Sequence, residues 1–296
     1  MGRRVWDRIL NSRMIRILGT IFAGLLGLAF GSFLNVCLSR WPVGESVVSP
    51  RSHCRNCEHT LAWWENIPLV SWVFLRGRCR NCHTAISWRY PLVELSVGAL
   101  WALVVWRSFL ALPLTDWEIG GGMMLFTYSL VGLAVLDAEH LWLPDIVTVP
   151  MAAIGIAWFA LLASQADLVF GDKPEPWKHA GERVLAALAT ALLILLIRWL
   201  YKLIRHRDGL GLGDAKLMAM LAAWLGLPGA LLAFVLGSIL GALAALVLLA
   251  LPAARTDPRS WATSKLPFGT FLCVGGIVSS LWGQPIIEAY LRWAGI

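Results

Sequence analysis

The sequence predicts an all-α polytopic membrane protein of about eight transmembrane helices, with a small polar insert between the first and the second. Of its 296 residues, 58% are hydrophobic and only 15% are charged, and the mean hydropathy is +0.68. Soluble domains carry about a quarter charged residues, so this balance indicates a membrane protein. Long apolar runs recur along the chain without strand-like alternation, which predicts helices rather than strands.

The apolar runs define the predicted spans, because a helix needs roughly 20 residues to cross a hydrocarbon core of about 30 Å. Short polar breaks separate most runs, and the sixth run is short. The first run follows a basic N-terminus and is not followed by a small-residue cleavage site, so a retained span is expected. The eight predicted spans are 14–37, 92–111, 120–137, 146–165, 181–200, 214–227, 230–253 and 267–286.

The positions of Lys and Arg predict the orientation, because cytoplasmic loops are enriched in these residues. With eight spans, the insert and the breaks 138–145, 201–213 and 254–266 fall on one side, which is predicted to be cytoplasmic. The five arginines between Arg3 and Arg16 oppose this orientation, because they would then lie outside. Basic loops beside an anionic leaflet explain the net charge of +7, so membrane lipids and no nucleic acid are the expected partners.

Four of the six cysteines form two CxxC pairs in the polar insert. Cys54 and Cys57 form the first pair, Cys79 and Cys82 form the second, and twenty-one residues separate the pairs. This spacing is typical of tetrahedral zinc sites, and cysteine at all four positions predicts a structural metal. Two disulfides or four free thiols are the alternatives. A reducing cytoplasmic location disfavours the disulfides, and the repeated spacing disfavours free thiols.

Acidic residues at the ends of predicted spans are candidates for function, because an ionisable group at membrane depth is costly. Asp137 ends the third span, and Asp214 begins the sixth after the glycine-rich stretch GLGLGD. Both lie on the same predicted face of the membrane. If they meet, a proton shared between the two carboxyl groups would let the pair act as base and acid on a water, as in aspartic proteases.

Other residues beside these aspartates have simpler interpretations as well. Asp145 follows a proline and matches an ordinary helix start. Asp214 could be a helix cap, although three preceding glycines exceed what a cap needs. Gly211 and Gly213 permit positive φ and the close approach of a substrate backbone, and Lys216 lies just beyond them. A dinucleotide-binding loop is disfavoured, because no buried strand precedes the glycines.

Nearly the whole chain resembles the type IV prepilin peptidases, also called prepilin leader peptidase/N-methyltransferases, which are polytopic aspartic peptidases of bacterial inner membranes. The resemblance implies that Asp137 and Asp214 are the catalytic aspartates, the second in a GxGD motif. It also implies that Cys54, Cys57, Cys79 and Cys82 form the zinc-binding insert. Five ordered motifs carry it: GSFLNVCLSRWP at 31–42, the cysteine-bearing stretch at 54–95, DAEHLWLPD at 137–145, GLGLGDAKLMAMLAAWLG at 209–226 and LPFGTFLCVGG at 266–276.

The resemblance also implies a reaction. The expected activity is cleavage of the basic leader from type IV prepilins and pseudopilins on the cytoplasmic side, followed by N-methylation of the new N-terminal residue with S-adenosylmethionine. Such substrates belong to pilus, type II secretion or DNA-uptake systems. A peptidase without methyltransferase activity is one alternative, and an ion-coupled transporter or membrane scaffold is another. The predicted domains are 1–38 with the first span, the insert at 39–90, and a seven-helix peptidase domain at 91–296.

Overall fold

The computed structural model describes residues 2–108, 116–170, 173–206, 209–250 and 266–295. Within these ranges the chain is largely helical and contains no strand. Seven of the helices in the described part are long and apolar enough to cross a membrane. The predicted fold class is therefore confirmed, and the chain is a multi-pass membrane protein.

The helices follow the apolar runs closely. Two short 3₁₀ helices, Trp41–Val43 and Trp63–Asn66, precede the second α-helix, and every α-helix except that second one is a candidate span. In chain order the described α-helices are α1 Gly2–Arg40, α2 Val70–Phe74, α3 Arg89–Ser108, α4 Asp116–His140, α5 Asp145–Phe170, α6 Pro176–Arg205, α7 Leu212–Ala250 and α8 Phe268–Ala294.

The predicted sixth and seventh spans form one helical run, α7, which is divided by a kink. Gly226 has φ 71° and ψ 176°, far from helical values, and Pro228 follows it. Pro228 has no N–H to donate to the carbonyl of Trp224, and the guanidinium of Arg183 donates to that carbonyl instead, at 3.2 Å. The predicted break at 228–229 lies at this kink, which accounts for eight predicted spans against seven candidate helices. The predicted span ends at 111 and 253 lie outside the described residues.

The chain divides into two compact units, Met1–Gly132 and Leu133–Ile296. In the first unit, α1 packs closely against α3. A Cβ added at Gly31 would lie only 2.7 Å from the Cα of Glu94, so a glycine is required where the helices touch. Such contact through small residues is typical of helices in membranes. The predicted domain boundaries after residues 38 and 90 stay a prediction.

In the second unit, α7 packs against α5, α6 and α8. The indole N–H of Trp224 donates to the carbonyl of Met151 on α5 at 2.8 Å. The hydroxyl of Thr190 on α6 approaches the carbonyl of Met218 to 3.2 Å. Such contacts satisfy polar groups that lipid cannot satisfy, and they fix the position of α7 along its neighbours. The first turn of α7 carries Asp214, so this packing positions a predicted site residue.

Candidate active site and metal centre

Asp214 is held by the loop that precedes it. It lies in the first turn of α7, and the N–H of Gly211 donates to Asp214 Oδ2 at 2.8 Å. This is the reach-back contact of a helix cap, and a carboxylate is favourable at a helix N-terminus. The side chain is buried, with 7% of the residue exposed. The predicted helix-cap contact is therefore present. It uses Oδ2 of Asp214, and the carboxyl group has a second oxygen that this contact does not use.

Gly211 and Gly213 in the GLGLGD loop lie in tight packing and do not have a left-handed backbone. The expected positive φ is found at neither Gly211 nor Gly213. A Cβ at Gly213 would lie 3.2 Å from the Cβ of Leu143, and one at Gly211 would lie 3.3 Å from Asp214 Oδ2. The positive-φ part of the prediction is therefore wrong, and these glycines instead leave room for side chains of the protein itself.

Asp137 lies near the end of α4 and takes its hydrogen bonds from the start of α8. The N–H of Thr270 donates to Asp137 Oδ2 at 2.7 Å. The Thr270 hydroxyl donates to the carbonyl of Ala134 at 2.9 Å and lies 3.3 Å from the same carboxylate oxygen. A Cβ at Gly269 would lie 2.9 Å from that oxygen. Asp137 itself is buried, with 6% of the residue exposed. Because Gly269 has no Cβ, the backbone at the start of α8 can approach this buried carboxylate.

The structure brings the two predicted aspartates together. Asp137 and Asp214 lie close enough to interact electrostatically. Leu143, in the segment between α4 and α5, contacts both sides of the site. A Cβ added at Gly213 would lie 3.2 Å from the Cβ of Leu143, and a Cβ added at Gly269 would lie 2.9 Å from its Cδ1. Two carboxyl groups in one partly dehydrated site do not both ionise easily, so they can share a proton and activate a water.

Two further residues belong to this site and were not predicted from the sequence. Thr270 supplies the hydrogen bonds to Asp137 described above. Arg198, near the end of α6, donates from Nη1 to the carbonyl of Leu210 at 2.7 Å, and its charge acts on Asp214. An arginine within an apolar run is itself a signal of function, whereas Thr270 gave no such signal because it is neutral.

Asp145 and Lys216 form an ion pair with each other. The Nζ atom of Lys216 lies 2.6 Å from both carboxylate oxygens of Asp145. The Lys216 and Asp145 side chains are 43% and 63% exposed, and exposed pairs of this kind contribute little to stability. Asp145 is the first residue of α5, as predicted for a helix start. Its contact with Lys216 joins the first turn of α5 to the second turn of α7.

The four cysteines of the insert converge within the first unit. Their Sγ atoms all lie within 4.8 Å of one another. Cys54 and Cys82 are 3.7 Å apart, and Cys57 and Cys79 are 3.9 Å apart, measured between Sγ atoms. A disulfide needs about 2.05 Å. Zn–S bonds of about 2.3 Å in a tetrahedron place the sulfurs about 3.8 Å apart. The cluster can therefore hold a metal ion, and its dimensions suit zinc.

The two CxxC segments fold in the same way, with matching local backbone contacts. The N–H of Cys54 donates to the carbonyl of His59, and the N–H of Cys79 donates to the carbonyl of Thr84, each at 2.9 Å. Hydrogen bonding to the side chain and backbone of Thr84 lowers the pKa of the Cys82 thiol to about 5, whereas burial and the neighbouring thiols of Cys79 and Cys82 raise the pKa of Cys54 to about 11. The thiolate, which is the form that binds a metal, is therefore favoured at Cys82 and disfavoured at Cys54.

Two family models match this chain. The Bacterial Peptidase A24 N-terminal domain matches residues 25–108, and the Type IV leader peptidase family matches residues 124–246. These ranges contain the cysteine cluster and the two aspartates, respectively.

Several curated relatives match almost the full chain. The prepilin leader peptidase/N-methyltransferase of Stutzerimonas stutzeri is 34% identical over 295 residues, covering 91% of this chain and 93% of that protein. That of Pseudomonas aeruginosa is 34% identical over 296 residues, covering 92% and 93%, and that of Aeromonas salmonicida is 35% identical over 292 residues, covering 90% and 92%. No solved structure matches the chain. With both domain models and near-complete coverage of these relatives, the chain belongs to the type IV leader peptidase family.

Proposed function

We propose that this protein cleaves the basic leader from type IV prepilins and pseudopilins, with Asp137 and Asp214 as its catalytic pair. It then N-methylates the new N-terminal residue with S-adenosylmethionine. The observation that carries the peptidase activity is the placement of two buried acidic side chains beside Leu143, at the end of α4 and the start of α7. The shared name of the relatives, prepilin leader peptidase/N-methyltransferase, supports both activities.

In the proposed mechanism, the ionised carboxylate takes a proton from a water as that water attacks the scissile carbonyl. The protonated partner donates a hydrogen bond to the carbonyl oxygen. Thr270 and Gly211 donate to Oδ2 of Asp137 and Asp214, respectively. These contacts support an orientation of both carboxyl groups in which the other oxygen of each would face water and substrate. Neither aspartate can be spared, because base and acid act in the same step.

The loop beside Asp214 is the proposed binding place for the substrate backbone. Gly211 is exposed, and Asp214 is buried three residues later, so a chain lying along the loop would end beside the carboxyl groups. The exposed pair of Asp145 and Lys216 supports this place from the neighbouring helix start. Its charges suit the recognition of charged side chains on the substrate.

We assign one structural Zn²⁺ to Cys54, Cys57, Cys79 and Cys82. The sulfur separations support this assignment. Because cysteine fills all four positions, the metal would leave no place for a substrate and would act by folding the insert. A polar insert with little apolar core needs such a constraint.

The proposed location is the bacterial inner membrane, with the aspartates and the insert each facing the cytoplasm. The basic loops support this orientation, and the basic N-terminus opposes it. Prepilins, pseudopilins and membrane lipids are the proposed partners, without nucleic acid.

Incubating the purified protein with a prepilin, with and without S-adenosylmethionine, tests the proposal when the products are weighed by mass spectrometry. Loss of the leader is expected in both cases, and the mass of one added methyl group only with S-adenosylmethionine. An intact prepilin would contradict the peptidase activity. A shortened product without the methyl group would instead support a peptidase that lacks methyltransferase activity.

A further inference from the structure

The first unit contains a buried polar cluster that the proposed mechanism does not use. Glu94 on α3 is 7% exposed, and Asn35 on α1 is 2% exposed. Each lies five residues from the helix end beside the insert, because α1 ends at Arg40 and α3 begins at Arg89. At 1.5 Å per residue, this is a depth of about 7.5 Å. A carboxylate at such a depth is costly and is a candidate for function.

The contacts of Glu94 are with hydrogen-bond donors. The N–H of Leu69 donates to Glu94 Oε2 at 2.8 Å, and the side chain of Ser32 hydrogen-bonds the same carboxyl group. Leu69, which precedes α2, has φ 59°, an unusual value for a leucine. Glu94 therefore anchors the insert, and these two contacts are with neutral donors.

Asn35 provides a buried acceptor that lacks a donor. Its Nδ2 donates to the carbonyl of Tyr90 at 3.0 Å, and this fixes the orientation of the amide, because a carbonyl can only accept. Its Oδ1 is buried without a hydrogen-bond partner among the described residues, which is costly in a protein interior. Tyr90 lies one turn before Glu94 on α3, and Ser32 lies one turn before Asn35 on α1. The orphan oxygen and the carboxylate therefore belong to one cluster.

We infer that Glu94 and Oδ1 of Asn35 bind the α-amino group of the peptide chain that is to be methylated. Both groups accept hydrogen bonds, so the ligand must donate, and the charge of Glu94 favours a cationic donor. An aliphatic ammonium meets both conditions, because it has three donors and no acceptor. This assignment rests on the proposed function, since it supplies the acceptor site of the second reaction.

The chemistry of methyl transfer explains why the amine, rather than another ammonium, occupies this site. A protonated amine has no lone pair, so the acceptor must lose a proton before it can react. The ammonium gives that proton to the Glu94 carboxylate, while Asn35 accepts a second N–H and orients the nitrogen. The lone pair then forms the N–C bond as the C–S bond of the methylsulfonium donor breaks, and the electron pair of that bond stays on sulfur. The methylated amine carries the positive charge, and the sulfur product is neutral.

Glu94→Gln and Asn35→Leu test this assignment in the full-length protein. Glu94→Gln keeps an oxygen for the Leu69 N–H but removes the charge, and Asn35→Leu removes Oδ1 at similar size. The binding of a mature peptide with a free N-terminus is compared with that of its N-acetylated form. Methylation, the KM for S-adenosylmethionine, leader cleavage and zinc content are measured in parallel. Thr127→Val is the matched control, because this fully buried hydroxyl of the same unit bonds a carbonyl of its own helix.

Wild-type protein and the Thr127→Val control are expected to bind the free-amine peptide at least about tenfold more tightly than the acetylated one. Both site variants are expected to lose this preference and to methylate at least about tenfold more slowly. Their KM for S-adenosylmethionine, their cleavage and their zinc content are expected to stay unchanged. If Asn35→Leu does not fold, Glu94→Gln decides the question.

A preserved preference for the free amine in Glu94→Gln overturns the inference. A raised KM for S-adenosylmethionine with unchanged peptide binding also overturns it, because the ammonium of the methyl donor would then occupy the site. Loss of cleavage or zinc in Glu94→Gln would make the cluster structural. Wild-type protein that cleaves but never methylates would contradict the proposed second activity itself, which is measured separately from the binding preference.

Discussion

Replacing Gly269 by alanine should misplace the Asp137 carboxyl group without changing either aspartate. The added Cβ would lie 2.9 Å from Asp137 Oδ2 and 2.9 Å from Cδ1 of Leu143. The end of Leu143 can rotate away, but the carboxyl group can move only by weakening its 2.7 Å hydrogen bond from the N–H of Thr270. A hydrogen bond to a charged group contributes about 1.5–3 kcal/mol. Its loss therefore corresponds to a fall in cleavage rate of roughly 10- to 150-fold.

The assay is leader cleavage by purified protein in detergent, expressed as kcat/KM for one prepilin. Gly181→Ala is the matched control, because a Cβ at that position meets nothing within 4 Å. Wild-type cleavage is expected from Gly181→Ala, and wild-type zinc content from both variants. Unchanged cleavage by Gly269→Ala would refute the view that the α8 backbone holds Asp137 in place. An equal loss in both variants would refute it as well, since the effect would then be independent of Asp137.

The remaining predictions concern the metal, the exposed ion pair and the orientation. Cys54→Ser and Cys79→Ser should each lower the zinc content below about one ion per chain and destabilise the insert, and full zinc occupancy after all four cysteines are changed would contradict the site. Asp145→Asn should alter the free energy of unfolding by less than about 1 kcal/mol, because its partner Lys216 is exposed. Cleavage should fall less than in variants of the buried aspartates, and an equal fall would place Asp145 in catalysis. Cysteines introduced at 166–180 should be labelled from the periplasm and the insert should not, whereas labelling of the insert would reverse the orientation.

The two aspartates could be predicted from the sequence because charges are conspicuous in an apolar chain. Asp137 and Asp214 stand at the ends of apolar runs, where an ionisable group indicates function. Their partners could not all be found in this way. The contact between Thr270 and Asp137 joins residues 133 positions apart, and no local pattern records it. Glu94 is also an ionisable residue within an apolar run, so the same rule indicates it as a candidate for function. Its proposed role depends on the orphan oxygen of Asn35, which only the packing of the helices shows.

The breaks in the helices show a different limit. The sequence predicted an interruption near Pro228, and the interruption is there. The sequence does not show that the interruption is a kink, nor that Arg183 donates to the carbonyl that the proline leaves without its helical partner. In the same way, the sequence does not distinguish a glycine that needs positive φ from one that needs space. At Gly213 the backbone does not have positive φ, and an added Cβ would lie 3.2 Å from the Cβ of Leu143.

The claim that Asp137 and Asp214 form one catalytic pair is tested most directly by leader cleavage in Asp137→Asn and Asp214→Asn. Asparagine keeps the size of each side chain and an oxygen for the N–H of Thr270 or Gly211, but it cannot exchange a proton with water. Each substitution alone is expected to abolish cleavage. Membrane insertion, zinc content and methylation of a peptide that already bears the mature N-terminus are expected to persist. Near-normal cleavage of a prepilin by either variant would contradict the pair and the aspartic mechanism.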